Sequence, residues 1–256
     1  MHINKFIKII IILTFSSILR AQFASSPVSY RGKGGWSVSA SGTYFDMDVD
    51  VQTVSTRYLL QSTWGVSSWL DVVGTLGMAK LKSSTGEEGV ADFTGKYHLA
   101  YGLGLNFYSD PLSQSKVSFW GGVHVLRFPA KGAYTLTTFD ESQITIKKFQ
   151  LNYDWRQYKA YLGIMIPYRS LRFYMAGGIW KVQHVDEQKE YRMYGNSKTY
   201  VATREGEYRS DFWTGGIVGM EIQLPGKYAI IVEGFGFNEH NYQIMFGLSQ
   251  TGGFYW

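Results

Sequence analysis

The stretch YHLAYGLGLNFY (97–108) changes character at every step. Tyr97, Leu99, Tyr101, Leu103, Leu105 and Phe107 alternate with His98, Ala100, Gly102, Gly104 and Asn106. A period of two sustained over about a dozen residues describes a β-strand with one apolar face, long enough to cross a bilayer at a tilt. Trp36, Val38, Ala40 and Tyr44 repeat the pattern opposite Ser37, Ser39, Ser41 and Thr43. No later segment approaches the roughly 20 apolar residues of a membrane helix. Composition agrees: aromatic residues make up 17% of the chain and there are 29 Gly against 5 Pro, as closely packed strands require.

Ten such segments follow one another, near 35–45, 54–64, 69–82, 92–108, 116–128, 147–166, 171–184, 208–223, 227–237 and 241–254. Their connections alternate in size. Those at 65–68, 109–115, 167–170 and 224–226 are tight, whereas those after the first, third, fifth and seventh segments are longer and polar. Strand length, even parity and turn asymmetry together predict an all-β transmembrane antiparallel up-and-down β-barrel of about ten strands, with eight or twelve as alternatives. In the sixth segment the apolar series Phe149, Leu151, Tyr153 and Trp155 changes parity to Tyr158, Ala160, Leu162, Ile164 and Ile166. A one-residue β-bulge near Arg156 and Gln157 is the favoured account. The alternative is that the strand leaves the membrane there.

The N-terminus reads differently. Lys5 and Lys8 precede a short apolar run from Ile9 to Phe15, and Ala21 stands before Gln22. That pattern predicts a signal peptide over 1–21 rather than a spanning helix. An N-terminal periplasmic segment (22–34) and the barrel (35–256) follow. Cleavage removes Lys5, Lys8 and Arg20, so 25 basic residues become 22 against 20 acidic ones. A near-neutral mature chain gives no reason to expect a nucleic-acid partner. Cysteine is absent, which excludes disulfide frameworks, thiolate metal sites and thiol nucleophiles.

The segments VSSWLDVVGTLGMA (66–79), AYGLGLNFY (100–108) and IIVEGFGF (230–237), with the aromatic terminus, resemble the small outer-membrane β-barrel proteins of Gram-negative bacteria, the OmpA/OmpW-like superfamily. The resemblance implies location in the outer membrane, contact with its lipids and lipopolysaccharide, and insertion by the barrel assembly machinery. In that family a terminal aromatic face is the assembly signal. Phe254 and Trp256 match it here, with Leu248 before them, whereas Gly252 and Gln250 depart from it. Activity is not implied.

The same alternation turns several ionisable side chains inward: Asp71, Lys96, Lys159, Arg172, Glu221 and Glu233. Charges in a narrow lumen must be paired or hydrated, which predicts an interior polar network, with Arg172 and Glu221 equally deep on adjacent strands. A charged selectivity constriction is the other reading. His98 and His124 are read as inward-facing diagonal neighbours, hydrogen-bonded rather than metal-binding. Asp46, Asp48 and Asp50 form a solvated acidic strand end, lacking the glycine and distal glutamate of a calcium loop. His184, Asp186, Glu239 and His240 are the residue types of a rim-active enzyme, but no known motif surrounds them.

The expectation is therefore a non-enzymatic outer-membrane barrel, structural or surface-binding through its loops at 129–146 and 185–207. Its interior is largely filled by Tyr174, Trp180, Trp213 and the charged residues, over gaps left by Gly102, Gly104, Gly178, Gly215 and Gly219. No cofactor or metal is expected. A narrow porin-like solute channel is the alternative, and a rim enzyme a more remote one.

Overall fold

Each strand of an alternating sheet leaves backbone donors and acceptors for a neighbour, and in a membrane none can be left over. The computed structural model describes residues 33–49, 51–84, 93–109, 117–140, 143–194, 197–238 and 241–253. It contains twelve strands: β1 (Gly35–Val49), β2 (Val51–Gly65), β3 (Leu70–Ser84), β4 (Phe93–Thr94), β5 (His98–Tyr108), β6 (Ser118–Asp140), β7 (Gln143–Tyr168), β8 (Leu171–Tyr194), β9 (Ser197–Arg209), β10 (Trp213–Leu224), β11 (Tyr228–Asn238) and β12 (Asn241–Gly253). All lie in one sheet with antiparallel neighbours. The first and last strands pair from Gly35↔Gly253 to Asp46↔Tyr242, which closes the sheet on itself.

The strand count differs from the expected ten in two places. The two-residue β4 is a separate strand against β3. The segment expected near 208–223 is two strands: β10 pairs with the first half of β8 and β9 with its second half. Between them Ser210 caps the break, its backbone N–H donating to the Val182 carbonyl and its hydroxyl accepting from the Val182 N–H. With β4 and β9 set aside, the closed circuit runs β1-β2-β3-β5-β6-β7-β8-β10-β11-β12 and back to β1.

At one end the connections are short, as the sequence predicts. β7 and β8 join through Arg169 and Ser170, and β10 and β11 through Pro225, Gly226 and Lys227. Arg169, Gly226 and Lys227 take positive φ, the geometry that tight hairpins demand. The other end overturns an expectation. The polar stretches 129–146 and 185–207 are not loops but continuations of the ladder, pairing out to Asp140↔Gln143 and Tyr194↔Ser197. β6, β7, β8 and β9 thus rise beyond the rest of the barrel. The four threonines of 129–146 favour this extended backbone, whereas 185–207 is polar on both faces, with Glu187 outside and Glu190 buried inside, 3.0 Å from Lys147.

The same fact removes the proposed bulge. β7 pairs without a register shift on both sides, against β6 over its full length and against β8 from Ile146 to Tyr168. Phe149, Leu151, Trp155, Gln157, Lys159 and Tyr161 are all buried and all inward. The apolar series changes parity because the surroundings change. Where the outer face meets lipid, Leu162 and Ile166 point outward. Beyond it, apolar side chains fill the interior and Lys148, Gln150, Asn152, Asp154 and Arg156 take the outer positions.

The outward apolar residues form a band round the barrel. Leu60, Leu76, Leu103, Leu162, Met175, Val218 and Phe246 are exposed at its middle, Leu103 to 72%. Trp64, Trp69, Phe107, Phe119, Tyr168 and Tyr228 border it at the turn end. Tyr44 and Tyr242, 6.2 Å apart, and Tyr58 and Tyr97, 5.7 Å apart, border the far end. Two aromatic girdles about an apolar belt are the signature of a membrane-spanning barrel. Trp36 is half-buried, its indole lying over Gly252, where a Cβ would come within 2.4 Å of the ring. Spin labels at 97, 99, 101 and 103 are expected to be relaxed by a lipid-soluble reagent, and labels at 98, 100 and 102 much less. Equal relaxation of the two sets would refute the orientation of β5.

Candidate functional site

The band fixes which side chains enter the lumen, and those divide by depth. Towards the turn end the interior is polar. Glu221 lies directly across from Arg172 on the neighbouring strand, as the sequence predicts, and the Arg172 Nη1 donates to both Glu221 oxygens at 3.3 and 3.4 Å. Glu221 is fully buried and the Arg172 side chain is 18% exposed. Tyr174 donates its hydroxyl to Glu233 at 3.0 Å and lies over Gly219, where a Cβ would meet its ring at 2.2 Å. The Lys159 ammonium stands 5.0 Å from the Trp180 ring centre and 5.2 Å from that of Tyr161. Asp71 is buried on β3 and pairs with Gly65 across the ladder. Five of the six charged residues expected to face inward are therefore inside. Lys96 is not: it lies in the exposed connection between β4 and β5, where its N–H donates to the Lys131 carbonyl.

The two histidines are not neighbours. His124 pairs with Gly104, whereas His98 pairs with Ala79 and lies six residues away along β5. The connection between β5 and β6 is centred two residues later than the sequence suggested, and each residue of shift at a hairpin moves the partner by two. His124 does enter a polar network, though with different partners. The Tyr161 hydroxyl donates to Asn106 Oδ1 at 2.8 Å, and the His124 Nε2 stands 2.8 Å from the same oxygen. The His124 ring covers Gly104, where a Cβ would meet it at 2.2 Å.

Farther from the turns the lumen is crossed by large groups that sequence reasoning did not single out. Arg57 on β2 is fully buried between two aromatic rings, 5.1 Å from the centre of Phe45 and 5.0 Å from that of Phe128. Its Nη1 donates to the Gln157 amide oxygen and its Nε to Ser55 at 3.0 Å. Trp155 on β7 stands edge-on to Phe45 on β1 at 6.3 Å and stacks on Phe128 at 6.0 Å and His184 at 5.9 Å. In the ten-strand circuit β1 and β7 are five steps apart in either direction. The Phe45–Trp155 contact therefore spans the lumen. The parity of β2 already turned Arg57 inward, but nothing in the sequence said which strand it would meet.

Of the four rim candidates only the side chain of His184 is among the described residues. His184 lies inside against Trp155 and Tyr153. The side chain of Asp186, the residues Glu239 and His240, and the acidic pair Asp48 and Asp50 lie outside what is described, as do Phe254, Trp256 and residues 1–32. Asp46 accepts hydrogen bonds from Tyr44 at 3.1 Å and Gln52 at 3.5 Å. Among the described residues no cluster of three His, Asp or Glu side chains is arranged to hold a metal ion.

Outside the barrel, a groove of about 450 Å³ opens where β5 stops and β6 to β8 continue. Leu99 and Tyr101 form its lipid-side floor, and Arg127, Lys131, Asn152 and Asp154 its far wall. Asp154 receives a two-pronged contact from Arg127 at 2.7 and 2.8 Å and further hydrogen bonds from Arg156 at 2.7 and 3.1 Å. Partial burial pushes the Asp154 carboxyl up, but the two guanidinium groups outweigh it and hold it below the ordinary carboxylate range.

No family model and no curated protein matches the chain. Solved structures do. The translocator domain of the autotransporter NalP from Neisseria meningitidis superposes with a TM-score of 0.50 at 11% identity, covering 85% of this chain and 88% of that one. The fold is that of an outer-membrane β-barrel. The transport unit of the autotransporter AIDA-I from Escherichia coli matches at a TM-score of 0.41 and 9% identity, over 94% of this chain and 97% of that one. The outer-membrane protein OprG from Pseudomonas aeruginosa matches at 0.39 and 13% identity, over 88% and 100%. These last two scores add nothing to the first.

Proposed function

We propose that this protein is a non-enzymatic outer-membrane barrel with a closed interior, whose contacts are made from its outer surfaces. One observation carries the reading: Phe45 and Trp155 meet from opposite sides of the circuit, with Arg57 and Gln157 bonded beside them. Side chains fill the interior of small barrels of this kind, which leaves the outer surfaces for contacts. The projecting part here is the ladder of β6 to β9. Its turn end faces the periplasm and the ladder faces out, where it offers a surface to a ligand. Cleavage after Ala21 and insertion by the assembly machinery through Phe254 and Trp256 belong to the same proposal. That His184 is stacked inside, rather than displayed at a rim, supports the absence of catalysis.

The polar half of the lumen favours one other reading, a narrow solute channel whose ion pairs line a path. Recording from the refolded full chain in planar bilayers separates the two. A closed scaffold passes no stable current, and steady openings of wild-type protein would establish the channel instead.

A further inference from the structure

The far border of the lipid band is more basic than a solvated surface requires. On β6, Arg127 stands beside Tyr101 of β5 and Arg156 of β7 in the ladder. Next along, Lys181 pairs with Tyr158, and its ammonium lies 4.8 Å from the Phe212 ring centre. Lys80 approaches the Tyr97 ring at 5.9 Å. Cations that alternate with interfacial aromatic rings sit at the depth where lipid headgroups carry phosphate. The groove lies within this row, and its floor of Leu99 and Tyr101 continues into the band through Leu103.

We propose that this groove binds the phosphate-bearing headgroup of an anionic outer-leaflet lipid, with its acyl chains lying on the floor. Arg127 and Lys131 are the recognising groups and Arg156 supports them, resting on the proposed orientation in the membrane. The charge count favours an anion. Three carboxylates, Asp154, Glu187 and Glu207, face five cations, Arg127, Arg156, Lys131, Lys189 and Arg209. Glu187 is already held by Lys189 at 2.8 Å and by Asn152 at 3.0 Å. Asp154 occupies one edge of the Arg127 guanidinium through Nε and Nη2 and leaves Nη1 to donate elsewhere. Continuity of floor and band selects a lipid over a soluble anion: a free phosphate has no use for Leu99 and Tyr101.

The full chain, refolded in neutral maltoside micelles, is mixed with phosphatidylglycerol or with phosphatidylcholine of the same acyl chains. Retained lipid is then counted by native mass spectrometry. Wild-type protein is expected to keep phosphatidylglycerol in clear preference, and inorganic phosphate is expected not to displace it. Arg127→Gln with Lys131→Gln is expected to lower retention by roughly fivefold for each cation lost. Asp154→Asn is expected to raise it, since the competing carboxylate is gone. This second variant keeps the proposal testable if the first does not fold, which heat-modifiable migration reports. Equal retention of the two lipids, displacement by inorganic phosphate, or indifference to either variant would each overturn the proposal.

Discussion

Alanine at Trp155 is expected to turn a silent barrel into a conducting one. The indole touches Phe45, Phe128 and His184 together, so its removal cuts this bridge between β7 and β1. Truncating a buried tryptophan costs about 3–5 kcal/mol. The barrel should survive this, since β7 keeps its ladder against both β6 and β8. The space left is bordered by Arg57, Gln157 and His184, polar enough to take up water rather than stay dry. It then joins the polar half of the lumen. Small stable openings in planar bilayers are expected, biased towards anions by the nearby charge of Arg57. Leu162→Ala, on the lipid face at 70% exposure, is the control and should stay silent. Silence of Trp155→Ala in a correctly folded protein would show that the remaining rings close the lumen without it.

The Arg172–Glu221 pair should respond asymmetrically. Arg172→Met removes the ion-pair partner of a carboxylate that is fully buried, a loss of about 3 kcal/mol or more. Glu221→Gln leaves Arg172, which already reaches solvent, and should cost less. Replacing both, with Met and Leu, should recover most of the larger loss, because neither charge of the pair then remains to be desolvated. Urea unfolding of the refolded barrel in lipid vesicles measures all three. Equal losses from the two single variants would mean that the pair is not isolated from water as its geometry indicates.

Depth at the turn end was legible because tight hairpins fix where strands end: the Arg169–Ser170 connection and the one at 225–227 leave Arg172 and Glu221 each close to a turn, and so at one level on neighbouring strands. The β5–β6 connection shows the opposite case. A longer link permits several centres, and a displacement of two residues carried His124 away from His98 to Asn106 and Tyr161. The rim was misread for another reason. Polarity in 129–146 and 185–207 was attributed to loops, but it belongs to strands that continue the ladder, with Glu187 outside and Glu190 inside. Alternation is a relation between a strand and its surroundings, and the surroundings of β7 change halfway along.

The sequence by itself determined that the chain is an all-β alternating barrel with a lipid band. It also determined which parity turns inward and that Asp71, Lys159, Arg172, Glu221 and Glu233 share the lumen. These follow from a period of two, which is local. Only the tertiary structure decided how many strands stand in the circuit, where the lumen closes, and that a groove opens beside Arg127. Closure brings together side chains five strands apart, such as Phe45 and Trp155. No local pattern carries that distance, because it depends on the circumference of the whole ring.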